Sequence, residues 1–237
     1  TDADFPISRS YIAMLSETGA TPVVQSKWFA TVVVESPDST VAEQLQQLAI
    51  VDSVKWIWKG NLRVPAEEKW EDRFVSEDEP LHNEYGYSYK QIKMLNGTKL
   101  HEAGFRGEGM RVAVIDAGFM NADRVSAFDS LRLLGTHNVV FPGKSVFVGD
   151  DHGTKVLSCL AADIPGVMVG TAPKASYLLL KSEDSDSEYP VEEDYWTAAV
   201  EYADSAGVDV ISSSLGYFAF DTDELSYDQD ALDGRTA

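Results

Sequence analysis

The stretch Val112-Ala113-Val114-Ile115-Asp116-Ala117-Gly118 decides the fold. Its first four residues are apolar and three of them are β-branched, a run too short for a helix and suited to a strand buried on both faces. Such a strand belongs inside a parallel sheet, where helices cover both sides. Asp116 ends the run, and the carboxyl ends of strands are where sheets of this kind hold their working groups. On position alone, Asp116 is equally an acid that turns the chain or caps a helix.

Working outward, apolar runs at Val139-Val140-Phe141, Tyr177 to Leu180 and Val208 to Ile211 read as similar strands. Two helical patterns separate them. One follows His152-Gly153-Thr154, with Val156, Cys159 and Leu160 on one face, so Cys159 is expected inside as a small hydrophobe. The other follows Pro190, with Glu192, Glu193 and Asp194 in its first turn, where acids favour the helix dipole. Its stripe is Trp196, Ala199, Val200 and Ala203, and Gly207 ends it. Upstream, Ile92, Leu95, Leu100 and Ala103 mark a helical approach closed by glycines at 104, 107 and 109. Strands alternating with helices predict an α/β fold, a doubly wound and mainly parallel sheet, over residues 85–237.

Residues 1–60 read as a small α+β unit. Ile7 to Glu17 is a helix stopped by Gly19, and Val23-Val24 and Phe29 to Val34 are strands. Thr40-Val41-Ala42-Glu43 fits a capping box for a helix through Leu48, and Val54 to Trp58 reads as a further strand. Residues 61–84, with Pro65, Pro80 and scattered acids, read as an exposed linker.

The chain has 237 residues, 19 basic and 39 acidic, for a formal charge of −20. A chain of this length buries enough surface for one large core or two smaller ones. With 44% hydrophobic and 11% aromatic residues, global disorder is excluded. The charge argues against nucleic acid or an anionic membrane as partner. One cysteine, Cys159, excludes an intrachain disulfide framework and a cysteine zinc cluster. No apolar run approaches a membrane span, and Thr1-Asp2-Ala3-Asp4 is not the start of a signal peptide. Between Lys181 and Arg235 there are 16 acidic residues and no Lys or Arg. Three readings of that segment stand side by side: a solvated rim, a preference for basic ligands, or a calcium site among Asp184, Asp186 and Glu188. No defined calcium motif is present, so no metal or other cofactor is expected.

Two other places carry candidate chemistry. His152 opens a helix, where backbone N–H groups and the dipole disfavour the imidazolium and suit a neutral base; taken alone, it reads more readily as a surface histidine beside Asp150 and Asp151. Ser212-Ser213-Ser214-Leu215-Gly216 ends a strand in hydroxyls and a glycine, which close a turn or line a cleft.

Together these segments resemble the subtilisin-like serine proteases. Val112 to Gly118 looks like the aspartate motif, and His152-Gly153-Thr154-Lys155-Val156 is similar to the histidine motif. Gly170-Thr171-Ala172-Pro173-Lys174-Ala175 resembles the Gly-x-Ala-Pro-x-Ala turn, and Val210 to Gly216 the strand that ends in Ser-Leu-Gly. The strand and helix order of residues 29–58 is similar to the inhibitory, ferredoxin-like prodomain of the family, with its first strand missing. The resemblance implies that His152 is the general base and that Asp116 fixes its tautomer. It implies that Ser214, Leu215 and Gly216 bind substrate as an added strand. It also implies a serine endopeptidase proenzyme that is secreted, has peptide or protein substrates, and matures within or beside the linker.

The departures are as definite. No Gly-Thr-Ser-x-Ala nucleophile motif occurs in these 237 residues, and no match for the oxyanion-hole Asn. Ala117 stands where the family often has Thr or Ser, and Lys155 where a second histidine is common. This chain alone is therefore expected to be inactive. A sheet that stops after Ile211 is expected to leave an apolar edge for a second polypeptide, a domain swap or a neighbour to cover. The alternative function is a non-catalytic inhibitory, folding or binding module attached to an inactive protease half. Gly149-Asp150-Asp151-His152-Gly153 also matches a metallophosphoesterase motif superficially, but the other three histidines sit in no matching motif.

Overall fold

A computed structural model describes residues 2–36, 38–58 and 83–231. The expected linker and maturation segment, residues 61–84, falls almost wholly outside these. In chain order the elements are α1 (Arg9–Glu17), β1 (Thr21–Ser26), β2 (Thr31–Glu35), α2 (Thr40–Gln46), α3 (Tyr89–Met94), α4 (Gly97–Glu102) and β3 (Arg111–Asp116). There follow β4 (Arg132–Asn138), α5 (His152–Ala161), β5 (Asp163–Ile164), β6 (Met168–Val169), β7 (Ser176–Lys181), α6 (Val191–Ser205) and β8 (Val210–Ser213). No described helix is long and apolar enough to cross a membrane.

The described chain forms two compact units. The first contains Thr1–Leu62, Asp186–Glu201 and Gly216–Ala237, so it gathers segments far apart in the sequence. In it β1 and β2 pair antiparallel, and Leu15, Ala20, Val41 and Leu45 form a core with Ile12, Val32 and Val34 packed on it. Two sequence expectations change here. Thr40 does not cap α2; instead the Asp38 carboxylate accepts the Thr40 N–H at 2.9 Å. Val54 to Trp58 is not a strand, because it joins no ladder: the Val54 N–H donates to Gln46 Oε1 at 3.0 Å and Ile57 O accepts the Val191 N–H at 3.3 Å.

The second unit contains Arg63–Ser185 and Tyr202–Leu215. Its sheet is parallel with strand order β4-β7-β3-β8. β3 lies inside the sheet, and Ala113, Val114, Ile115 and Asp116 are fully buried. On one face Val112, Val114, Tyr177 and Leu179 pack against Leu157 and Ala161 of α5. Each such fully buried leucine contributes about 1.5–3 kcal/mol.

Three expectations are corrected in this unit. Val139-Val140-Phe141 is buried but is not a strand; β4 precedes it. The Asn138 side-chain oxygen accepts the Phe141 N–H at 2.8 Å and turns the chain away from the ladder. Among the described residues β8 pairs with β3 alone, so it is an edge strand with Val210 51% and Ile211 36% exposed, not one buried on both faces. Cys159 is exposed, because the inner face of α5 runs Gly153, Leu157, Ala161 at helical spacing and leaves Cys159 outside it. A further expectation changes in α6, whose residues 191–201 belong to the first unit: its buried positions are Val191, Glu192, Tyr195, Thr197, Ala199, Glu201 and Ala203, so Trp196 and Val200 are only half-buried.

Candidate active site

The sheet presents Asp116 at the carboxyl end of β3, fully buried. His152 is the first residue of α5, and its N–H donates to Asp150 Oδ1 at 2.7 Å, which fixes the entry to the helix. The helix start must come very close to the strand end. A Cβ on Gly153 would meet Gly118 O at 2.4 Å and Asp116 Cβ at 2.9 Å, so only glycine admits this approach. The far end of α5 is pinned by the Gly170–Ala175 turn. The N–H groups of Gly170, Thr171 and Ala172 donate to the carbonyls of Ala162, Cys159 and Leu160 at 2.8, 3.0 and 2.8 Å.

The result is a short bond between residues 36 apart: His152 Nδ1 lies 2.7 Å from Asp116 Oδ1. An ionised carboxylate only accepts, so Nδ1 carries the proton and Nε2 is left as a base. The same Oδ1 accepts the Ala117 N–H at 2.8 Å. Asp116 Oδ2 is buried and accepts no hydrogen bond among the described residues. Burial pushes the Asp116 carboxyl up, against the downward pull of the His152 and Ala117 hydrogen bonds. The hydrogen bond from His152 to Asp116, and the attraction between them, raise the imidazole above its ordinary value. The His152 side chain is half exposed, so its outer nitrogen is open to a reactant.

These shifts make a pH prediction with a definite sign. A group whose folded value is raised binds its proton more tightly when folded, so the stability it adds is present at low pH and is lost as pH rises through the folded value. Nuclear magnetic resonance titration of the imidazole should therefore place the His152 midpoint above that of an unperturbed histidine, and Asp116→Asn should lower it. An unchanged midpoint in Asp116→Asn would contradict the ion pair.

Around the pair, Lys181 at the end of β7 is buried; its ammonium donates to Ala117 O, and the Ser182 N–H donates to Asp116 O at 3.1 Å. The ladder aligns Ile115 with Ser213, which brings Ser214 level with Asp116. Ser214 and Gly216 are exposed and Leu215 is half-buried, all three beyond the last paired residue of β8. Sequence reasoning assigned no role to His101. It is buried, with Nδ1 3.2 Å from the Tyr85 hydroxyl and Nε2 2.9 Å from Thr171 O, so it supports the Gly170–Ala175 turn. Glu201 was missed altogether. It is buried, and its carboxylate accepts from the Ser26 hydroxyl at 2.5 Å, the Trp28 N–H at 3.1 Å and the Lys27 N–H at 3.2 Å. No local pattern marks it, because its partners lie more than 170 residues away. Among the described residues no group of three or more His, Cys, Asp or Glu side chains is placed to hold a metal ion, and Asp184, Asp186 and Glu188 form none.

A family model of the peptidase S8 propeptide domain of Bacteroidota matches residues 1–73. Subtilisin E of Bacillus subtilis is 32% identical over 147 residues, covering 60% of this chain and 36% of that protein. Together these two comparisons liken this chain to a subtilisin-like prodomain joined to part of a subtilisin-like catalytic domain. The major intracellular serine protease of Bacillus subtilis is 31% identical over 133 residues, covering 53% of this chain and 40% of that one. The chain thus spans roughly two-fifths or less of the length of these subtilase relatives. The crystal structure of fervidolysin from Fervidobacterium pennivorans, a keratinolytic enzyme related to subtilisin, shares the fold. Its TM-score is 0.58 at 16% identity, covering 94% of this chain and 35% of that chain. The resemblance read from the motifs, and the incomplete subtilisin-like α/β fold with it, is therefore borne out.

Proposed function

We propose that these residues are the leading part of a secreted serine endopeptidase proenzyme of the subtilase type. Residues 1–60 act as its prodomain, 61–84 as the connection cut on maturation, and 85–237 as the front of the catalytic domain. The observation that carries the reading is the 2.7 Å bond between a fully buried carboxylate and a helix-leading imidazole with its other nitrogen open. His152 takes the proton of a serine hydroxyl as that oxygen attacks the peptide carbonyl, then returns it to the leaving amine. Asp116 holds the Nδ1–H tautomer and stabilises the imidazolium formed in between. The serine comes from outside these 237 residues. Ser214, Leu215 and Gly216 offer main-chain groups to an extended peptide. The exposed edge of β8 is covered by another polypeptide segment in the working protein.

A second role, inhibition by binding, is favoured by the tail of the prodomain. Ile57 O takes the Val191 N–H, and the Trp58 ring meets Tyr189 edge-on at 6.3 Å. A segment held this way occupies the Val191 N–H and the Tyr189 ring until it is cut away.

Protein extended through a serine motif should hydrolyse fluorogenic peptides after maturation, and a fluorophosphonate reagent should stop it by adding to one serine. The 237-residue chain should do neither. Hydrolysis that survives complete labelling would overturn the serine mechanism.

A further inference from the structure

We propose that residues 83–88 form a clasp that sets the limit of proteolytic maturation: the cut falls ahead of Asn83, and trimming stops there. This rests on reading the chain as a proenzyme whose connection is cut within residues 61–84.

Main-chain bonds tie the segment to β5, β6 and the turn between them. The Gly166 N–H donates to Glu84 O at 2.8 Å, and the Tyr87 N–H donates to Val167 O at 2.8 Å. Between these bonds Gly86 bridges Met168 in the antiparallel sense. Ser88 Oγ lies 2.7 Å from Val169 O and accepts the Val169 N–H at 3.1 Å. Gly86 sits at φ +50°, and a Cβ there would meet Val167 O at 2.1 Å, so only glycine lets the two backbones come this close. Side chains hold the same segment down. Tyr85 is buried against Ile92 and Val169, with its ring stacked on His101 at 5.6 Å. The Glu84 carboxylate pairs with Arg106 at 2.6 Å, and Arg106 O accepts the Lys174 N–H at 3.0 Å.

A protease takes the residues around the scissile bond as an extended strand, through their main-chain groups. Much of the main chain in residues 84–88 is already hydrogen-bonded, so cutting there requires the segment to open first, and the rate follows the fraction open. Tyr87 separates the backbone effect from that of burial. Its ring is 49% exposed and free to enter a specificity pocket, yet its N–H is held by Val167 O. The boundary lies at Asn83, whose side-chain oxygen accepts the Tyr85 N–H at 2.9 Å and whose carbonyl accepts the Gly86 N–H at 3.3 Å. Asn83 thus turns the chain into the clasp. Water added across a peptide bond ahead of Asn83 separates the prodomain and leaves every one of these contacts with the catalytic part.

Limited chymotrypsin digestion of the 237-residue chain tests the clasp with a protease supplied from outside. Candidate bonds lie on both sides of the boundary: after Trp70, Phe74 and Leu81 ahead of it, and after Tyr85 and Tyr87 within it. Mass spectrometry of the early products should show the fastest cut of the first three at least about 100-fold ahead of those after Tyr85 and Tyr87. Gly86→Ala should speed cutting after Tyr85 and Tyr87 by about 100-fold. Glu84→Gln, which weakens only a partly exposed ion pair, should speed it by about threefold at low salt. Amide exchange at Leu179 in β7 checks that each variant is folded, and Glu84→Gln decides if Gly86→Ala is not. Cuts after Tyr85 or Tyr87 as fast as those ahead of Asn83, or no cut ahead of Asn83, would overturn the proposal. The serine-containing protein provides the second arm, by N-terminal sequencing of its matured chain. That chain should start at or ahead of Asn83, and a start beyond it would also overturn the proposal. Failure to mature at all would instead sink the protease reading and leave the chymotrypsin arm to decide this one.

Discussion

In protein extended through its nucleophile, His152→Ala will lower kcat by about 10⁴- to 10⁶-fold, the scale known for triad members, subtilisin's own among them. Among the described residues, the His152 imidazole is the base hydrogen-bonded to the Asp116 carboxylate. Asp116→Asn will cost less, about 10²- to 10⁴-fold, for a reason specific to this site. One oxygen, Oδ1, accepts both the His152 Nδ1–H and the Ala117 N–H. An asparagine keeps its carbonyl toward those two donors and puts its amide where the unpaired Oδ2 now lies. The tautomer survives, and the loss is that of the negative charge facing the imidazolium. Steady-state kinetics at several pH values check both parts. A loss in Asp116→Asn as large as in His152→Ala would mean that the imidazole had turned or changed tautomer.

Glu201→Ala will loosen the β1–β2 turn by a factor of about 30 to 1,000 in its opening equilibrium. Three donors converge on this carboxylate, and Ser26, one of them, is only 3% exposed. Removing the acceptor leaves a buried hydroxyl and two backbone N–H groups without their partner, and hydrogen bonds to a charged group are among the stronger ones. The readout is hydrogen exchange of the Lys27 and Trp28 amides in the 237-residue chain. Glu201→Gln should fall between, since its carbonyl still accepts while its amide does not. Protection equal to that of the unmodified chain in Glu201→Ala would show that the turn is held by packing alone.

These two predictions differ in how visible their residues were beforehand. Asp116 and His152 announce themselves locally. A continuous apolar run stops at the acid, and a histidine sits before Gly153-Thr154 at a helix start. Both patterns arise because burial imposes a short period on the residues next to the site. Glu201 is one acid among 16 in a stretch without bases, and its neighbours in sequence give no hint of a turn at residues 26–28. The Val54–Trp58 segment misled in the opposite sense. Its alternation suits a strand, yet it has no ladder to join and is held by isolated hydrogen bonds and a ring contact.

By itself, then, the sequence determined the parallel α/β class, the buried strand β3 and the two residues that end and open their elements beside it. Hydrophobic period and glycine placement are local properties, and they report which faces are covered. Only the tertiary structure decided that β8 is an exposed edge, that Cys159 lies outside the inner face of α5, and that one oxygen of Asp116 takes two donors. It alone joined Glu201 to Ser26. Those features depend on where distant segments meet, which the path of the whole chain sets and no window of neighbouring residues records.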